Sequence, residues 1–252
     1  MTTRDSEIDN PRRKLLVGLL TSGMFTAGSL LLPCRTVQAD LLGKIPTQLA
    51  AGRSIYKMAG QVLVNGQMAN MNTFISATAR VETGANSYLI FVVGKDSFIL
   101  RSNSSLQLSA QDEPGMSEKI KETSVSVMRL VSGKLLSVFG KRQHSITTAV
   151  ATIGIRGTGV YIESDAEESY VCTCYGTADL SANSAPGNTE TIISTHHSAP
   201  RYISSTSVSG KLIHPAPFKN HDDDELLLIE TLVGRSTPFA VPDGLRSRSR
   251  RY

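Results

Sequence analysis

The sequence predicts an all-β protein: a sandwich, jelly roll or short β-solenoid of many short strands, with one C-terminal amphipathic helix. Three observations carry this. Short runs rich in Val, Ile, Thr and aromatic residues recur from Ser54 to about Ser209, the composition of a pleated, half-buried surface. Gly, Asn, Asp and Ser punctuate these runs at regular spacing, as turns require. Strands do not alternate with long helices, which argues against a doubly wound α/β enzyme fold. Sandwich, jelly roll and solenoid share this period and these turns, so the sequence leaves the choice among them open.

Residues 1–39 read as an export signal. Arg12-Arg13-Lys14 precedes an apolar run from Leu15 to Leu32, and Val37-Gln38-Ala39 forms a small-residue cleavage site. The twin arginines, an apolar run diluted by Gly, Ser and Thr, and Arg35 near the cleavage point favour the twin-arginine route, which carries folded cargo. Two alternatives stay open: retention as a single N-terminal membrane anchor, and lipidation at Cys34. Residues 40–53 form a lead-in.

The all-β domain with its extension occupies 54–218. Residues 61–64 run into Asn65-Gly66, the strongest short hairpin signal. Arg80–Thr83 ends at Gly84-Ala85-Asn86, Tyr88–Val93 at Gly94-Lys95-Asp96, and Ser97–Arg101 at Ser102-Asn103. Leu106 and Leu108 alternate with polar neighbours. A loop with Asp112, Glu113, Pro114 and Gly115 follows. Val125–Val131 and Lys134–Phe139 then flank Ser132-Gly133.

Ser145 to Gly176 reads as a pair of strands broken by Gly154, Gly157 and Gly159. A phosphate-cradling loop needs a helix N-terminus after its glycines. Here they lead into Val160-Tyr161-Ile162-Glu163, a β-type run, so the glycines mark bulges or close backbone approach. The stretch TAVATIGIRGTGVYIE from Thr148 to Glu163 resembles the signature block of FecR domains, extracytoplasmic modules named after the ferric-citrate regulator. Ala59 to Gly66 is similar to the opening of such domains, and Arg80 to Leu108 to their middle. Together these cover roughly 54–180.

The resemblance implies a non-enzymatic sensing or protein-interaction module of the bacterial cell envelope. In the regulator itself, the outer domain receives a signal from an iron transporter and passes it to a cytoplasmic sigma factor. That role needs an anti-sigma domain ahead of the membrane segment. Here only 14 residues precede the apolar run, so the expectation is a periplasmic FecR-like protein without that domain. Its expected partner is another envelope protein.

Residues 219–235 hold the helix. Asp222 to Glu225 suit the positive end of the helix dipole. Asn220 or Asp222 can cap it, and Gly234 can stop it. Its broad apolar face is expected on the sheet. Residues 236–252, with Pro238, Pro242, Gly244 and alternating Arg and Ser, read as a flexible basic tail.

The chain has 252 residues and a net charge of +4. Without the first 39 residues it holds 21 basic and 19 acidic residues, and the arginines of the tail exceed that surplus. The folded body is near neutral, which argues against a nucleic-acid groove. Enzyme signatures are weak. Ser54-Ile55-Tyr56-Lys57 matches a Ser-x-x-Lys form but lacks the helix and the Lys-Thr-Gly partner. The carboxylate pairs Glu167-Glu168 and Asp222–Glu225 are explained by solvation and by the helix dipole. No catalytic residues are expected, and Tyr161, Tyr170, Tyr175, Phe91, Phe98 and Phe139 read as core.

One cluster carries candidate chemistry. Cys172 and Cys174, two apart on a strand, face the same side. A disulfide between them would close a small, strained ring. Four of the five histidines lie beyond residue 195, among them His196, His197 and His221. Two thiolates and one or two imidazoles suit a transition-metal ion: zinc, copper or iron. Adjacent histidines on a strand face opposite ways, so only one of His196 and His197 would join a compact site unless both sit on a turn. The alternative readings are a labile disulfide switch, and buried cysteines with histidines on a surface loop. The metal-binding or redox role is the alternative to the sensing module.

Overall fold

The computed structural model describes residues 47–110 and 124–239. The proposed export signal, the loop around Pro114 and residues 240–252 of the tail lie outside the described residues. The strands are Ile55–Ala59 (β1), Val62–Val64 (β2), Gln67–Met68 (β3), Arg80–Thr83 (β4), Tyr88–Val93 (β5), Asp96–Leu100 (β6) and Ser104–Ala110 (β7). They continue with Val125–Val138 (β8), Gln143–Thr147 (β9), Ala151–Ser164 (β10), Glu168–Ala182 (β11), Ala185–Ser194 (β12), Arg201–Val208 (β13) and Lys211–Pro215 (β14). Among the described residues there is one helix, α1, spanning Asp223–Leu232. The protein is all-β, as the turn spacing predicts.

The strands form one hydrogen-bonded network that does not close into a barrel. Its main path runs β14-β13-β11-β10-β9-β8-β7-β4-β2-β3; β12 adds to β11, and β6, β5 and β1 branch from β8. Among the described residues every pairing is antiparallel except β8 with β9. β8 and β10 are long because each serves two sets of neighbours. The first part of β8 pairs with β7 and β9, and its last residues pair with β6 and β10.

Two positions make those long strands possible. Val125–Val131 and Lys134–Phe139 are not two strands around a turn, as their spacing suggests; they are one strand carrying an irregularity at Ser132. Gly133, at φ +101°, takes the bend, and a Cβ there would stand 2.5 Å from the Ser104 backbone. β10 likewise runs unbroken through Gly154, Gly157 and Gly159, with register shifts on both sides of Gly159. A Cβ at Gly159 would lie 2.5 Å from Cε1 of Tyr175. The glycines serve a bulge and a close approach, as expected. Asn65 and Gly66 both take positive φ between β2 and β3, the signature of the predicted hairpin turn.

Central strands are buried on both faces, which explains the near-continuous apolar run of β5. One face contributes Val81, Phe91, Phe98, Leu106, Leu130, Ile155 and Val160 to the main core, with Phe91 stacked on Phe98 at 4.9 Å. The other presents Ile90, Val92, Ile99, Leu136, Val138, Tyr161, Tyr170, Cys172, Cys174 and Tyr175. α1 covers this second face with Leu226, Ile229 and Leu232. Asp222 caps the helix and forms a reciprocal capping box with Glu225, Gly234 follows at φ +73°, and Arg101 pairs with Glu225 at 2.8 Å.

Both flanking segments are more engaged than their composition suggests. In the lead-in, the Leu49 N–H donates to the Leu232 carbonyl at 3.0 Å, and its side chain packs on the second face. At the start of the tail, Phe239 lies 6.0 Å from the Tyr175 ring. Apolar side chains at these two positions find the rim of the helix-covered face. Among the described residues, no helix is long and apolar enough to cross a membrane.

Candidate metal centre

The site forms where β11, the turn after β12 and the segment before α1 converge. β11 points Tyr170, Cys172 and Cys174 to the helix-covered face, because alternate residues share a side. Both cysteines are buried and unbridged. His196 and His197 lie on a turn, which the Ser-Thr-His-His-Ser run permits. His197 adopts φ +49°, and its N–H donates to the Cys174 carbonyl at 2.9 Å. His221 enters two residues ahead of α1, just after Asn220 at φ +62°. Left-handed backbone at non-glycine residues clusters where surrounding structure over-determines it, often at sites.

Cys172, Cys174, His197 and His221 each place one donor atom so that all four lie within 4.8 Å of one another. Cys172 Sγ lies 3.5 Å from His197 Nδ1. His197 Nδ1 lies 3.1 Å from His221 Nε2. Ligand bonds of about 2.3 Å to sulfur and about 2.0–2.1 Å to nitrogen give a tetrahedron with edges of roughly 3.5 Å and roughly 3.3 Å. These two separations are close to the edges of such a cage, and all four donors stay within 4.8 Å of one another.

The outer nitrogens of both rings are already committed. His197 Nε2 meets Asp223 Oδ1 at 3.1 Å, and His221 Nδ1 meets the Lys219 carbonyl at 2.8 Å. Both partners are acceptors, so both outer nitrogens carry the N–H. The inner nitrogens therefore face each other with lone pairs, and either a proton or a metal ion must lie between them. A metal-ligating histidine is oriented in the same way, by an acceptor on its far nitrogen.

Charge follows the same arrangement. Cys172 is lowered to about 4, chiefly by the hydrogen bond from the Cys174 thiol, with His197 and His221 adding to it against burial. Cys174 is pushed well above the ordinary thiol value by burial and by the adjacent thiolate. Burial pulls His197 down, but the Cys172 thiolate and Asp223 outweigh it and the net shift is upward. Burial opposes ionisation of Asp223, yet its bonds to His196 and His197 hold it below the usual carboxylate range. These shifts favour the thiolate at Cys172 and the thiol at Cys174, and so place negative charge where a cation would sit.

Aromatic rings wall the cluster from water. Tyr161 stacks on His221 at 4.4 Å, and Phe218 lies 4.7 Å from both His197 and His221. His196 falls outside the cage. Its side chain is 49% exposed against 9% for His197, and its Nε2 bonds Asp223 at 2.9 Å. Of the five expected ligands the fold brings together four, and His196 joins only the rim through Asp223. Asp223 reads in sequence as a dipole-matching acid. Its position two residues after His221 was the available signal for its second role.

A cavity of about 730 Å³ lies away from this cluster, beside Lys95, Lys141, Arg142 and Arg235. It includes the buried His144–Asp96 pair at 3.2 Å, which ties β6 to β9. Among the described residues this pair stands without a cysteine or further histidine beside it.

No family model matches the chain, and no curated protein matches it. Solved structures that resemble it include two crystal structures of a protein from Parabacteroides distasonis ATCC 8503, described as a putative anti-sigma factor. Identity is 9% in both, with TM-scores of 0.40 and 0.41. The match covers 58% of this chain and 62% of that one. The FecR resemblance therefore rests on the sequence motifs.

Proposed function

We propose that this protein is a non-enzymatic metal-binding module of the bacterial cell envelope, exported already folded. It holds one soft or borderline ion, with Zn²⁺ the reference case, through Cys172, Cys174, His197 and His221. The observation that carries this reading is the facing pair of His197 Nδ1 and His221 Nε2 beside two thiols. Four protein ligands complete a tetrahedral shell and leave no open position, the arrangement of structural rather than catalytic zinc. The sensing or interaction role implied by the FecR-like motifs supplies the context, with an envelope protein as partner. The twin-arginine-like signal supports export after loading.

The test is elemental analysis and zinc titration of the protein purified under reducing, anaerobic conditions. One ion per chain is expected, abolished in Cys172→Ser/Cys174→Ser. Metal-free protein that takes up no zinc and has two freely reactive thiols would defeat the reading.

A further inference from the structure

We infer that the bound ion controls the seating of α1, and so whether the apolar face beneath it is covered or open. This inference rests on the metal-binding reading. The four ligands come from three pieces of chain: Cys172 and Cys174 from the sheet, His197 from the turn after β12, and His221 from the lead into the helix. An ion at their centre joins the start of α1 to β11 directly. A second link runs through Asp223, the first residue of α1, which bonds His197 Nε2.

Apart from the cage, that end of the helix is held by Leu226 and by polar contacts at the surface. Its far end is fixed separately: the Tyr175 hydroxyl bonds Glu230, Arg235 pairs with Glu230 at 2.6 Å, and Leu49 donates to the Leu232 carbonyl. At the near end the ties besides the cage are His196 to Asp223 at 2.9 Å, Arg101 to Glu225 and to the Asn220 carbonyl, each at 2.8 Å, Asn220 and Lys219 to Glu163, and the stacking of Tyr161 on His221. The polar ties involve partly exposed groups, whose bonds are weakened by competition with water. The ten-residue helix buries only Leu226, Ile229 and Leu232 as apolar anchors, a small return against the entropy of ordering it.

Beneath α1 lie Ile90, Val92, Ile99, Leu136 and Val138, buried by the helix and its neighbours. The main core on the opposite face makes no use of the site. Loss of the ion therefore loosens one element and leaves the rest of the sheet folded, the pattern of a locally unstable unit on a stable scaffold. Metal occupancy becomes a change of surface, which is what a sensing module must deliver.

The experiment is hydrogen exchange on the full chain, loaded with zinc alone and then stripped by chelator, with metal content measured at each stage. The expected result is at least about tenfold faster exchange across residues 226–233 after stripping, with β4 and β7 unchanged. Re-addition of zinc should restore protection. A variant lacking both thiols, Cys172→Ser/Cys174→Ser, should exchange like stripped protein with or without zinc. Should that variant fail to fold, chelation of the unaltered chain decides alone. Bound and removable zinc with protection of α1 unchanged within about twofold overturns this inference and leaves the metal site standing. A chain that never binds zinc removes both.

Discussion

At the residue scale, His196 and His197 are neighbours in sequence with different surroundings. His197 is turned inward by its left-handed backbone and held by Asp223; His196 is left at the rim. His197→Ala should therefore weaken zinc binding by at least about a hundredfold, whereas His196→Ala should change it by less than about tenfold, read by competition with a chromophoric chelator. Asp223→Asn falls between, at about ten- to a hundredfold, because it frees the ring without removing a ligand.

The same residues set a pH signature in the metal-free protein. Cys172 has a folded value near 4 against an ordinary thiol near 8.5. A lowered thiol adds stability that is complete above the ordinary value and lost as pH falls through the folded value. His197 is raised, so its contribution is complete below about 6.5 and is lost only as pH rises past that. Between about pH 6.5 and about pH 4.5 the contribution of His197 in the wild type is constant, and the raised carboxyls of Asp224 and Glu225 are common to wild type and variant. Metal-free wild type should lose stability relative to Cys172→Ser as pH falls through this window, by up to about 1 kcal/mol per unit. Urea denaturation at four or five pH values checks the sign; parallel curves would show that no thiolate is stored.

At the element scale, β10 and α1 were the most legible parts of the sequence. The glycines before Val160 read as a bulge because the residues after them have β character. They are that bulge, with Gly159 pressed on Tyr175. Gly159→Ala forces the ring or the strand aside and should cost about 1–3 kcal/mol in urea unfolding. Gly154→Ala, whose Cβ would meet Asp179 at an ordinary 3.6 Å, should cost no more than about 1 kcal/mol. For α1, the acids and Gly234 announced both ends, and Asp222→Ala should cost about 1 kcal/mol through the lost cap. Ser132-Gly133 misled because a positive-φ glycine looks the same in sequence at a turn and at a kink within one strand. Only the Ser104 backbone opposite decides between them.

At the scale of the whole molecule, the sequence carried the class of fold but not its connectivity. Turn spacing reports strands; it does not report that β8 and β10 each serve two sets of neighbours or that β13 returns to β11. The site was legible to the same degree. Cys172 and Cys174 announced a shared face through their spacing of two. The histidines were recognisable as ligand types, but their convergence depends on β12 returning beside β11 and on α1 lying across Tyr161 and Tyr175. Phe218, which packs on His197, and Phe239, which packs on His196 at the rim, gave no sign because an isolated aromatic in a polar segment has no pattern to follow.

The central claim is that these distant pieces fold into a single four-ligand cage. X-ray absorption at the zinc edge, on protein loaded with one equivalent and passed through a desalting column, tests it most directly. Two sulfurs at about 2.3 Å and two imidazole nitrogens at about 2.0–2.1 Å are expected. A shell of oxygen and nitrogen alone, or no zinc left on the protein, would contradict it.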